Sequence, residues 1–289
     1  MKAAPFEYAR PATLAEACAL LGEHGPDAKL IAGGQSLVPM MAMRLARPAW
    51  LVDINRLDEL KGISPQGECL RVGAAVRQCV IERDPRARAG LPLLMKALHW
   101  VGHIQTRNRG TVGGSIAHAD PSAEIPLVAC VLDATLVLRD AVNSTDLRAR
   151  EFFLAPMVTA IAPGQCLAEI RFPVWTGTKV GCAFEEISIR HGDFALVSAC
   201  AQLALDADGR CLRAALGTGG ASPVPQALPG IGEQLVGTRL DDQSIADAAG
   251  AAADLIDPEG DLHATAEYRR HLARVLVARV LRAAREDAR

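Results

Sequence analysis

The chain has 289 residues, half of them hydrophobic and 22% charged, a globular composition with room for one large core or several smaller ones. A formal net charge of -2 and an aromatic content of 4% exclude the basic, ring-bearing surfaces that hold nucleic acid. No apolar run is long enough to cross a bilayer, and Met1-Lys2-Ala3-Ala4-Pro5 lacks a secretory pattern, so a soluble, cytoplasmic protein is expected.

Residues 13–24 predict an amphipathic helix: Thr13 caps it, Glu16 follows three residues on, and Leu14, Ala17, Leu20 and Leu21 share one face. Gly25-Pro26 ends it, and residues 28–32 read as a strand running straight into Gly33-Gly34. A helical stretch after Pro39 leads to Pro48 and a strand over 50–54, which completes a β-α-β unit. Residues 70–75 alternate like a strand, whereas 76–83 and 91–100 look helical, with a break at Asp84-Pro85. Arg107-Asn108-Arg109-Gly110 is expected to be a polar loop delivering the chain into Thr111-Val112-Gly113-Gly114. Strands over 134–139 and 166–172 close this region, and Pro173 marks a boundary.

The texture changes from about residue 176. Strands are predicted over 184–189 and 195–205, and a turn at 206–209 pairs the second with 211–216 as a hairpin. Gly217-Thr218-Gly219-Gly220, running into Ser222-Pro223, is expected to be an extended turn. Helices over 244–256 and 263–284 end the chain.

The eight cysteines are scattered, and no two form the C-x-x-C pair on which zinc and iron–sulfur sites usually rest. Several lie in apolar runs, such as Cys130 between Ala129 and Val131, where the thiol acts as a small hydrophobe. His99, His103 and His118 show neither metal-ligand spacing nor a nucleophile to serve, so structural roles are expected for them. No metal ligand and no catalytic residue is therefore assigned.

Two short runs carry the chemical signal. A pyrophosphate needs several N–H donors converging on one concave spot, and paired glycines supply them by accepting positive φ and dispensing with Cβ. Ala32-Gly33-Gly34-Gln35-Ser36 and Thr111-Val112-Gly113-Gly114-Ser115 both read as strand-led and hydroxyl-flanked. Either alone often marks only a tight turn; the pair carries more weight. There is no G-x-x-x-x-G-K-[ST] and no G-x-G-x-x-G after the first strand, so neither a P-loop nor a Rossmann site is supported. Arg107 and Arg109 either add positive potential beside the second run or belong to a solvated loop.

The run Ala32-Gly33-Gly34-Gln35-Ser36-Leu37, with Arg107-Asn108-Arg109-Gly110-Thr111-Val112-Gly113-Gly114-Ser115-Ile116-Ala117-His118-Ala119-Asp120-Pro121, resembles the FAD-binding medium subunit of molybdenum hydroxylases. This is the xanthine dehydrogenase and aerobic carbon monoxide dehydrogenase group. The similarity continues through Trp50-Leu51-Val52-Asp53-Ile54-Asn55, His191-Gly192-Asp193-Phe194-Ala195 and Glu267-Tyr268-Arg269-Arg270-His271-Leu272, and so spans essentially the whole chain. It implies an α+β fold: a PCMH-type (vanillyl-alcohol-oxidase-like) FAD-binding domain over 1–175, then a C-terminal α+β domain of the carbon monoxide dehydrogenase flavoprotein type over 176–289. The first domain divides into α/β subdomains of about 1–58 and 59–175.

The resemblance further implies that Lys29, Ala32, Gly33, Gly34, Gln35 and Ser36, with Thr111, Val112, Gly113, Gly114 and Ser115, hold the FAD diphosphate. Glu124 matches an acidic position near the ribose, where a carboxylate accepts from sugar hydroxyls, and Asp120 is a weaker candidate that otherwise just starts a turn. Phe194 stands where carbon monoxide dehydrogenase-like members carry a Tyr beside the isoalloxazine ring; a phenyl there can stack on a flavin face, and the alternative is a buried strand residue. In Phe184-Glu185-Glu186-Ile187, where many relatives place a Lys close to the flavin, both candidates are Glu, and that contact is not carried over.

The implied function is an electron-transfer subunit. A molybdopterin-containing large subunit would oxidise substrate, a small [2Fe–2S] subunit would pass the electrons to FAD here, and an external acceptor (NAD, dioxygen or a quinone-like molecule) would remove them. A heterotrimer, doubled to a heterohexamer, is the implied assembly. The alternative is a stand-alone FAD oxidase or reductase of the same fold, for which the sequence offers no general base.

Overall fold

In the computed structural model, which describes residues 2–177, 179–190 and 192–288, the buried side chains gather into three clusters, one for each larger sheet. The first sheet comprises β1 (Glu7–Ala9), β2 (Ala28–Ile31) and β3 (Trp50–Asp53), all parallel, with β3 in the middle. Two helices cross between its strands, α1 (Leu14–His24) and α2 (Leu37–Ala42). Thr13 caps α1 as its position predicts, its hydroxyl accepting from the Glu16 N–H at 3.2 Å, while Glu16 accepts from the Ala12 N–H at 2.7 Å. The buried face of α1 is Leu14, Ala17, Cys18 and Leu21. Leu20 packs half-buried against the same core, and Cys18 adds to it, meeting Cys166 of the second sheet sulfur to sulfur at 3.9 Å.

Residues 63–173 build a five-stranded antiparallel sheet and a cover of short helices. Its strands are β4 (Ile63–Gln66), β5 (Cys69–Gly73), β6 (Thr135–Arg139), β7 (Ser144–Arg148) and, after a hairpin of β8 (Phe153–Ala155) and β9 (Val158–Thr159), β10 (Cys166–Pro173). They lie in the order β4-β5-β10-β6-β7. The helices are α3 (Gln78–Ile81), α4 (Pro85–Gly90), α5 (Pro92–Leu98), α6 (Ile104–Arg109), α7 (Val112–His118), α8 (Glu124–Val131) and α9 (Ala149–Phe152). Asp84-Pro85, expected as a break, starts α4: the Asp84 carboxylate accepts from the Arg86 and Ala87 N–H groups, and Pro85 needs no partner at the first position. The stretch expected as a polar loop, 107–110, is instead mostly the last turn of α6. Every residue of α8 from Ile125 to Val131 is buried, as a helix apolar all round must be.

The third sheet is antiparallel: β11 (Val180–Ile187), β12 (Val197–Leu205), β13 (Cys211–Gly219) and β14 (Gln226–Ala227), with α10 (Pro229–Leu235), α11 (Asp242–Leu255) and α12 (Ala266–Asp287). Alternate residues of β12 belong to different cores. Val197, Ala199, Ala201 and Leu203 pack with α11 and α12, while Cys200 joins the core around α8. A sheet covered on both faces carries a near-continuous apolar run, which explains the texture of 197–205. The expected turn at Gly217-Thr218-Gly219 is the end of β13. A Cβ on Gly217 would overlap the Gln226 carbonyl and the Val131 side chain, so glycine there serves close packing.

Gly181 of β11 meets the last turn of α12 in the same way, since a Cβ there would overlap the backbone of Ala284 and Ala288. Gly181→Ala is expected to cost about 1–3 kcal/mol by overpacking. Urea unfolding should show a lower midpoint at an unchanged slope; an unchanged midpoint would mean that the helix end gives way freely.

Candidate functional site

The first glycine run packs against the residues that lead into the second. Gly33 lies so close to the end of α6 that a Cβ would overlap the Arg109 carbonyl and stand 2.8 Å from the Gly110 Cα. The first run leaves β2 and turns at Gly34 with φ +71, a conformation other residues resist. The Gln35 side-chain amide donates to the Gly33 carbonyl at 3.2 Å and so braces the turn. Among the described residues, the N–H groups of Gly33, Gly34, Gln35 and Ser36 donate to no protein acceptor. Four unpaired donors in one tight turn are available to an anion.

The second run departs from expectation. It is not strand-led: Thr111 caps α7, its hydroxyl accepting from the Gly114 N–H at 2.9 Å. The amides of Val112 and Gly113 donate to the Val76 and Ala74 carbonyls at 2.9 Å, and that of Ser115 to Thr111 at 3.1 Å. These donors are therefore spent inside the protein. Gly113 is a packing glycine whose Cβ would overlap Ala74. What the run leaves accessible is the exposed backbone at Gly114 and the half-buried Ser115.

Positive charge comes partly from a residue the sequence reading passed over. The Arg77 guanidinium donates to the Arg109 carbonyl, and to Asn55 Oδ1 at 2.6 Å. Asn55 is itself held by Asp53, whose Oδ1 accepts from the Asn55 backbone and side-chain amides at 2.8 and 2.6 Å. Arg77 thus ties β3 to the junction of the two runs. Burial, aided by the nearby Arg109, lowers its pKa. Lys29 is exposed on β2. Arg107 turns away from the cleft, donating to the Val101 and Gly102 carbonyls at 3.0 and 3.2 Å and pairing with Glu82 at 3.4 Å.

At the far end, Asp120 folds its own turn by accepting from the Ser122 N–H at 2.9 Å. Glu124 opens α8, half-buried, and burial followed by the Asp120 charge pushes its carboxyl up to about 7. Phe194 is not a core strand residue: it sits between β11 and β12 with 71% of its surface exposed. Its loop is fastened on both sides. The Ser122 hydroxyl donates to the Ala195 carbonyl at 3.0 Å, and Gly192 lies against the His103 ring. From α12 the buried Arg269 donates to the carbonyls of Leu196 and of Gly220, the latter at 3.1 Å. His191, quoted with this run, lies outside the described residues.

The two glutamates of β11 part company. Glu185 faces Arg279 at 3.8 Å. Glu186 is 5% exposed, neither carboxyl oxygen has a partner, and burial, followed by the Glu124 charge, pushes it up to about 8. Both Glu124 and Glu186 titrate above their ordinary 4.5, so the stability their protonated forms contribute is complete below that pH. It is lost as pH rises through about 7 and 8. The melting temperature should therefore fall from pH 5 to pH 9, and Glu186→Gln should flatten that fall; a variant curve parallel to wild type would contradict the shift.

A sequence profile described as "FAD binding domain in molybdopterin dehydrogenase" matches residues 4–175, and one described as "CO dehydrogenase flavoprotein C-terminal domain" matches 182–284. Over 100% of its length the chain is 38% identical to the 6-hydroxypseudooxynicotine dehydrogenase complex subunit alpha of Paenarthrobacter nicotinovorans, covering 97% of that protein. It is 35% identical to the carbon monoxide dehydrogenase medium chain of Hydrogenophaga pseudoflava, over 96% of each chain. It superposes with TM-score 0.97 and 33% identity on a chain of the Cu,Mo-CO dehydrogenase in its cyanide-inactivated form, covering 100% of both. For quinoline 2-oxidoreductase from Pseudomonas putida 86 the TM-score is 0.93 at 36% identity, covering 100% of this chain and 99% of that one. No helix among the described residues is long and apolar enough to cross a membrane.

Proposed function

The chain belongs to the FAD-binding medium-subunit family of molybdenum hydroxylases, oxidoreductases of the carbon monoxide and xanthine dehydrogenase type, and we propose that it is the electron-transfer subunit of such a complex. It would take electrons from a small [2Fe–2S] subunit, itself fed by a molybdopterin-containing large subunit, and pass them to NAD, dioxygen or a quinone-like acceptor in the cytoplasm. The observation that carries this reading is the set of free amides from Gly33 to Ser36, whose first residue is pressed against the end of α6. Bound FAD would supply the redox chemistry, taking up electrons singly and releasing them singly or in pairs.

The protein's part is to hold and orient. The amides of Gly33, Gly34, Gln35 and Ser36 are assigned to the diphosphate, with the Ser115 hydroxyl and exposed Gly114 turn beside them. Ala32, Thr111, Val112 and Gly113 shape the walls, and Lys29 and Arg77 offset the two negative charges. Glu124 is assigned to the ribose hydroxyls, with Asp120 holding the turn before it. Phe194 is assigned to a face of the isoalloxazine ring; an exposed phenyl on a fastened loop suits stacking. On this reading residues 1–175 form the cofactor domain and 176–289 the unit that positions Phe194. The relatives described as a "complex subunit" and a "medium chain" support an assembly with larger and smaller partners.

Gly33→Ala forces the first run away from the end of α6, and Gly34→Val strains a backbone at φ +71. Each should weaken FAD binding at least about tenfold, or about 1.4 kcal/mol, as read by flavin fluorescence on protein whose circular dichroism is unchanged. Full flavin occupancy in folded variants would sink the diphosphate assignment. The relay reading expects co-purification with a large and a small subunit; reduction by an organic substrate with this chain alone would overturn it.

A further inference from the structure

Helix α6 is short and polar and buries no side chain fully, so core packing does not explain it. Its two ends touch the two loops assigned to the cofactor. At the C-terminal end, the Arg109 carbonyl and the Gly110 Cα lie against Gly33 of the glycine turn, and the Arg77 guanidinium holds the same carbonyl. At the N-terminal end, His103, the residue that leads into the helix, lays its ring on Gly192. A Cβ on Gly192 would stand 2.7 Å from the imidazole Cε1, and the backbone there has φ +91, so glycine is what lets the ring come this close. Phe194 follows two residues later. Between its ends the helix is tied down by Arg107, which donates to the Val101 and Gly102 carbonyls and pairs with Glu82. From His103 to Gly110 the helical rise amounts to about 10 Å.

The fastenings of the Phe194 loop differ on its two sides. After the ring, Ser122 and Arg269 bond the carbonyls of Ala195 and Leu196. Before it, the loop's hydrogen bonds among the described residues are with itself: the Arg190 carbonyl accepts from the Asp193 N–H at 3.0 Å and from the Ser188 hydroxyl at 2.9 Å. On that side the His103 ring supplies the contact from another element.

We propose that His103 is a positioning residue for the isoalloxazine ring, acting through Phe194, and that α6 is the strut that fixes Phe194 at a set distance from the diphosphate turn. The inference rests on the FAD reading above. The ribityl chain sets how far the isoalloxazine stands from the diphosphate, and a phenyl stacks on it only at that distance. An element that touches both loops holds the distance before the cofactor arrives. Without the imidazole, the loop keeps its fastening after Phe194 and loses the one before it. The phenyl then gains freedom that binding must remove. ADP carries the diphosphate and no isoalloxazine, so its affinity reads one end of the strut alone.

The test is binding of FAD and, separately, of ADP to the full chain stripped of flavin, measured by calorimetry. His103→Ala should weaken FAD binding about threefold to tenfold, the worth of one aromatic stacking contact. It should leave ADP affinity unchanged and reduce the visible circular dichroism of the bound flavin. His103→Phe, which returns a flat ring to Gly192, should restore both FAD affinity and the dichroism. Phe194→Ala should match the loss, and adding His103→Ala to it should cost nothing more, since one residue acts through the other. An unchanged FAD affinity in His103→Ala, or additive losses in the double variant, overturns the proposal. An equal loss for ADP, or a His103→Phe protein that behaves like His103→Ala, would mark the residue as merely structural and overturns it too. Wild-type protein that binds neither FAD nor ADP would instead defeat the cofactor assignment.

Discussion

The arrangement hangs on one backbone-to-backbone approach, where Gly33 lies against Arg109 and Gly110. Strand β2 belongs to the parallel sheet and α6 to the antiparallel unit, so this contact brings two separately cored pieces of chain to one point. The Arg77 guanidinium spans the same junction, bonding Asn55 on one side and Arg109 on the other. Free amides on one wall become useful only because the other wall is this near. A side chain at position 33 would overlap the Arg109 carbonyl and press these two pieces apart.

The third sheet is packed on both faces. It is clamped between the cofactor domain and the two long helices, α11 and α12, and the loop that bears Phe194 emerges from its edge. Three unrelated contacts fasten that loop: a hydroxyl from Ser122, the ring of His103 and the guanidinium of Arg269. A phenyl ring that is exposed yet immobilised at its base can meet a planar ligand without a large ordering cost.

Much of this was legible from residue order alone. The strands β2, β3, β5, β6, β10, β11 and β12 carry apolar runs long enough to announce themselves, and Thr13 with Glu16 marks the start of α1 plainly. The misses have physical causes. Strand β1 has three residues, and β7, Ser-Thr-Asp-Leu-Arg, is an edge strand with almost no buried face. Helix α6 is polar and buries nothing fully, so periodicity could not reveal it. The second glycine run was misjudged because a capped helix start and an open phosphate turn share the same letters; only the partners of its amides tell them apart. Arg77 escaped notice because its role depends on Asn55 and Arg109, which are distant in sequence and adjacent only in the fold.

The buried helix α8 has a bearing on how such a chain can change over time. Its residues from Ile125 to Val131 are covered on one side by the antiparallel unit and on the other by β12 and β13. A gene truncated near residue 175 would encode a protein whose greasiest helix lies bare, with the elements needed for the glycine cleft all still present. Such a shortened chain would expose a contiguous apolar patch of the kind that drives association. A foreign counterpart exchanged for the second segment must therefore match the surface it lays over α8.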